Sequence, residues 1–183
     1  TTGQNKGDIK DGPIAVNPAY LAKVGYDRQV TDDFRVRLTG SVYTNNSSPA
    51  GTLYAGDRTG SNYWGVADNA AAAAFTNGRL NPGFRNETRA FQINPFVKLG
   101  GLELFGVVEK ASGRAVTEAK ARDVNQYAGD VVYRFLNDQL YLAGRYNVVK
   151  GDFGGPNSDV AVDRQALAAG WFISPTMLTK IEY

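Results

Sequence analysis

The sequence predicts an all-β protein, an antiparallel transmembrane β-barrel, and three observations predict it. Apolar and polar residues alternate with period two in about eight segments. The connections between them alternate between short turns and long polar stretches, the rhythm of a barrel whose turns lie at one membrane face and whose loops lie at the other. The composition, 21 Gly, 10 Tyr and 9 Phe against 1 Met, favours strands and turns over helices. No window approaches the roughly 18 to 20 apolar residues that a spanning helix needs, which removes a helical membrane protein.

The elements follow in order. "YLAKVGYD" sets Tyr20, Ala22, Val24 and Tyr26 against Lys23 and Asp27, and "FRVRLTGSVYT" sets Phe34, Val36, Leu38, Gly40 and Val42 against Arg35 and Arg37. "FQINPFVKL" and "LELFGVVE" alternate more loosely, the first carrying Pro95, which belongs at an edge or a bulge. "QYAGDVVYRF" opposes Tyr127, Val131, Tyr133 and Phe135 to Asp130 and Arg134, while "LYLAGRYNVV" opposes Leu140, Leu142, Tyr146 and Val148 to Arg145 and Asn147. "QALAAGWFIS" and "MLTKIEY" complete the eight. Short turns fall at "RQVTDDF", "LGG", "LNDQ" and "SPT", and long polar stretches at 45–88, 111–123 and 151–163.

Strand parity then sorts the side chains. The polar parity presents Lys23, Asp27, Arg35, Arg37, Lys98, Glu103, Glu109, Asp130, Arg134, Arg145, Lys180 and Glu182, the expected lining of a water-filled pore, with a small cationic excess that points to anion preference. On the apolar parity, Tyr26, Phe34, Tyr133 and Phe135 flank the short turns, where an interfacial aromatic girdle lies.

Several chemistries are excluded. His 0 leaves no imidazole base, no Ser-His triad and no His-ligated zinc, and Cys 0 leaves no thiolate or disulfide. No enzymatic step, cofactor or metal is therefore expected. "GDFGGPNSD" offers Asp152, Asn157 and Asp159 as oxygen ligands, without the ordered spacing of a calcium loop. A net charge of +2 with dispersed Lys and Arg gives no footprint for nucleic acid. "TTGQNKGDIKDGP" has no apolar signal-peptide core.

The chain is expected to be one domain, 1–183, with the 45–88 stretch as a long loop insertion. In that stretch, Asp68 or Asn69 would cap a short helix in "DNAAAAAF". The loop either folds into the lumen or forms an outer lid or partner contact, for which Tyr54, Tyr63 and Trp64 are suited. With the short turns on the inner side of the membrane, the eighth strand runs outward and both chain ends face outside. The expectation is an internal fragment of a larger barrel.

At "ALAAGWFISPTMLTKIEY", with "DVVYRFLNDQLYLAGRYNVVKG" before it, the sequence resembles Gram-negative outer-membrane porins, most of all the phosphate-selective porin O/P type and related Bacteroidetes-type barrels. The resemblance implies a location in the bacterial outer membrane, contact with its lipid, passage of small hydrophilic solutes or anions, and a homo-oligomer or monomer. Two other readings stand open: a plugged structural barrel serving as a subunit of a surface or secretion complex, and a soluble carbohydrate-binding β-domain.

Overall fold

The computed structural model describes residues 2–3, 16–48, 54, 56, 58, 80–155 and 158–183. They form one antiparallel sheet: a two-residue strand β1 (Thr2–Gly3), then eight long strands. These are β2 (Ala19–Gln29), β3 (Phe34–Asn45), β4 (Glu87–Leu99), β5 (Leu102–Arg114), β6 (Arg122–Phe135), β7 (Leu140–Gly151), β8 (Val160–Ser174) and β9 (Met177–Glu182). Each strand pairs with its neighbours in sequence, so the sheet is a meander from β1 to β9. Its two edges do not pair with each other, and the sheet is open. No α-helix occurs among the described residues.

All eight predicted segments are strands, and most run further than the periodicity suggests. β5 continues to Arg114 and β6 starts at Arg122, so the connection expected over 111–123 shrinks to residues 115–121. The reason is pairing: Ser112 faces Asp123 and Gly113 faces Arg122, and polar residues extend a ladder as well as apolar ones where their side chains have water or partners. β3 reaches Asn45 and β4 begins at Glu87, which trims the long insertion to residues 46–86. The Asp68/Asn69 helix, Tyr63, Trp64 and Asn157 lie outside the described residues.

Local chemistry sets the short turns. Gln29 Nε2 donates to the carbonyls of Thr31 (2.7 Å) and Asp32 (3.2 Å), which ties the β2–β3 turn to its own strand. Between β4 and β5, Leu99 and Leu102 pair across a two-residue turn whose first residue, Gly100, has φ +54°, the left-handed start of a hairpin. Gly101 is needed for another reason: a Cβ there would overlap the Arg134 carbonyl oxygen of the neighbouring strand. Gly101→Ala is expected to lower stability by about 2 kcal/mol, as overpacking against fixed backbone does. Gly100→Asn, which accepts the same φ, should stay near neutral. Urea unfolding of the two variants separates these effects.

The buried apolar core is small and sits at the long-connection end of the sheet. Phe84, Ala90, Ala111, Val124 and Val149 form it, with Tyr43, Tyr54, Leu80 and Phe153 packed around.

Candidate functional site: the two faces of the sheet

Register assigns every strand residue to one of two faces, because paired residues share a face and successive residues alternate. One face is apolar and open. It carries Val24, Leu38, Phe91, Leu104, Val131, Leu142, Leu167 and Ile181, among others, all exposed. Most of the exposed large hydrophobics therefore lie on the uncovered side and the core lies on the other, the reverse of a soluble sheet.

All twelve residues predicted to line a pore fall on the second, polar face. Most of them pair there. Arg35 binds Asp27 at 2.6 Å, Arg134 and Lys98 share Glu103 at 3.0 and 3.5 Å, Arg145 meets Asp130 at 3.3 Å, and Lys180 meets Glu182. Lys23 and Arg37 have no ion-pair partner among the described residues, and Arg37 instead lies 5.0 Å from the Phe96 ring centroid.

The four predicted girdle residues, Tyr26, Phe34, Tyr133 and Phe135, all stand on the apolar face near the short turns, and the Tyr133 and Phe135 rings stack at 6.3 Å. Trp171 joins them. A second aromatic set, Tyr20, Phe91, Tyr127 and Tyr146, stands on the same face towards the long connections, and sequence reasoning passed over it. The signal was present in the sequence: each has the apolar parity of its strand.

The apolar band slides along the register from β4 onward. Phe34, Leu99, Leu102, Tyr133, Leu142, Ala169 and Ile181 form one continuous paired row. That row passes beside the turn at Phe34 and at Leu99, two residues from the turn-closing Phe135, and five residues from Ser174, which closes the last hairpin. The other border descends as well. The row Val42, Phe91, Lys110, Asn125, Lys150 turns polar at β5, while the row below it, Ile93, Val108, Tyr127, Val148, Asp163, turns polar only at β8. A stagger averaging about one residue per strand, about 3.3 Å along against about 4.8 Å across, tilts the strands by about 35° from the perpendicular to the line of turns.

Tyr54 and Arg58 of the long insertion are seated on the polar face. Tyr54 stacks between Tyr43 (5.8 Å) and Phe84 (6.3 Å), and its hydroxyl donates to Glu109. Arg58 lies 4.1 Å over the Tyr54 ring, with Nε 3.6 Å from Glu109, and its carbonyl accepts from Asn147 Nδ2 at 3.2 Å. Gln126 Nε2 in turn donates to Asn147 Oδ1 at 2.9 Å. Burial raises the Tyr54 hydroxyl above the ordinary tyrosine value, so it remains a donor at physiological pH. Tyr54 thus anchors its segment to the polar face.

Phe84 is held against β5 at Gly113, where a Cβ would come within 2.6 Å of the ring. Arg122 closes the rim by donating to the Pro82 carbonyl at 2.9 Å, the Asp152 carbonyl at 2.7 Å and Glu118 at 2.8 Å. Burial opposes the charge on Glu118, but the Ala115 N–H and the Arg122 guanidinium outweigh it and hold its carboxyl below the usual value. Asp152 accepts from the Gly154 N–H at 2.7 Å, and no cluster of potential metal ligands occurs among the described residues.

No family model, characterised protein or solved structure matches this chain.

Proposed function

We propose that these strands form wall of a β-barrel in the bacterial outer membrane, with the apolar face against lipid, the polar face towards an aqueous lumen, and passive diffusion of small hydrophilic solutes as the function. One observation carries the reading: most of the exposed large hydrophobics stand on the uncovered face, while the core and the ion pairs of Asp27, Glu103, Asp130 and Glu182 stand on the other. In water such a sheet exposes its apolar side at a cost of about 25 cal/mol for every Å², whereas lipid removes the cost.

The dimensions support it. Leu140 to Val148 spans eight residue steps, about 27 Å along β7 and about 22 Å across the membrane at the inclination given above, close to the apolar band of about 25 Å in outer-membrane barrels. A net stagger in one direction is what closure of a barrel requires, and aromatic rows border the band on both sides. The resemblance to phosphate-selective porin O/P-type barrels points the same way. On the polar face, seven cations stand against five carboxylates among the twelve pore-lining residues, and Lys23 and Arg37 stand free of ion pairs among the described residues, which favours anions.

Detergent-purified protein in a planar bilayer under a salt gradient tests the reading. The expected result is a steady open-channel current with a reversal potential on the anion-selective side. The seated insertion favours a second reading, a plugged barrel whose loops bind surface partners. Folded protein that leaves the bilayer silent would select it, and release from membranes without detergent would overturn both.

A further inference from the structure

Two phenylalanine rings stand side by side in the middle of the polar face, and the ion pairs around them do not explain their presence. Phe96 and Phe105 are cross-strand partners, and their row reads Asp27, Arg37, Phe96, Phe105, Asp130, Arg145 from β2 to β7. Both rings are half-buried. With Tyr141 they line a concavity of about 360 Å³ whose polar margin includes Glu103, Asp130 and Arg145. That volume falls within the range of small-molecule sites.

We propose that this concavity is a binding step for a neutral polyhydroxylated solute with an apolar face, a pyranose sugar. The inference rests on the reading of this face as the lumen side. Aromatic rings on a wetted wall offer apolar contact area that water does not satisfy. The charges beside them neutralise one another: Arg145 pairs with Asp130, Glu103 with Arg134 and Lys98, and Lys180 with Glu182. No lone cation is left in the concavity to recognise phosphate or an aromatic carboxylate. What the pairs still present is carboxylate lone pairs and guanidinium N–H groups side by side, acceptors and donors for hydroxyls. A pyranose combines a C–H face for the rings with a rim of hydroxyls for these groups. Arg37, packed over Phe96, holds that ring in place from the neighbouring strand.

Saturation-transfer NMR on folded, detergent-solubilised protein with maltose as the probe reads binding without requiring conduction, and the same protein in a planar bilayer reads block of the current by maltose. Maltose is expected to show transfer, and Phe96→Leu with Phe105→Leu, which keeps apolar bulk but removes the ring faces, to weaken it on the order of tenfold. Should that pair not fold, Phe105→Leu alone is expected to weaken it about threefold. Absence of transfer to maltose, transfer unchanged in these variants, or preferential binding of benzoate or inorganic phosphate would each overturn the subsite. Open-channel current without maltose binding removes the subsite and leaves the porin reading standing. Maltose binding with a silent bilayer does the reverse.

Discussion

Val131→Arg is expected to cost the folded protein about 2 to 4 kcal/mol in lipid vesicles, whereas Val132→Arg, one residue along the same strand, costs less than about 1 kcal/mol. Val131 stands on the apolar face, 49% exposed, midway along the apolar stretch of β6 from Tyr127 to Phe135, with Leu104 and Gly144 as cross-strand partners. Val132 stands on the polar face between Glu103 and Ala143, where a guanidinium meets a carboxylate and water. In a water-soluble sheet the first substitution would be a surface change of within about 0.5 kcal/mol, because a half-exposed valine has little to lose. Membrane and water thus predict a large and a negligible difference between adjacent positions. Chemical unfolding of both variants in vesicles, with far-UV circular dichroism to establish folding, decides the matter: equal stabilities would remove the lipid-facing assignment.

The strands and their faces were legible because the information is local. Period-two alternation needs only a residue and its next neighbours, so "LYLAGRYNVV" and "QYAGDVVYRF" declared their existence and their sidedness, and every charge assigned to the polar parity lies on that face. What the pattern did not carry was anything that depends on residues distant in sequence. The seat of the insertion joins Tyr54 to Glu109 across 55 positions and Arg58 to Asn147 across 89, and no periodicity links them. Glu109 was legible as a polar-face carboxylate, but its hydroxyl and guanidinium partners were not. Strand ends were misjudged at Ser112, Gly113 and Arg114 for a related reason: polar and glycine residues read as loop until a partner strand is known to be there. Tyr54, suited by type to a partner contact, packs on the polar face because two rings and a buried carboxylate meet it there.

Removal of that carboxylate is the second test. Glu109→Ala is expected to destabilise the protein by about 3 kcal/mol, the low end for breaking a buried pair from one side. The side chains of Arg58 and Glu109 are only 15% and 9% exposed, and Arg58 Nε has no hydrogen-bond partner, so without Glu109 the guanidinium loses its only charged neighbour among the described residues. Glu109→Gln keeps an acceptor for the Tyr54 hydroxyl and loses only the charge, and should fall between the variant and the native protein. Arg58→Met combined with Glu109→Leu should recover most of the loss, because an apolar pair leaves no buried charge, and the resulting coupling energy isolates the contact from the rest of the seat. The same variants bear on the passage of solutes. In the proposed barrel, Tyr54 and Arg58 held by Glu109 on the polar face would narrow the aperture beside them. Glu109→Ala should therefore raise open-channel conductance and its noise, and the Met/Leu pair should return both towards native values. Stability lost with conductance unchanged would mean that the insertion braces the wall without narrowing it. Neither quantity moving would show that the anchor lies elsewhere, in the Phe84 core and the Arg122 clasp.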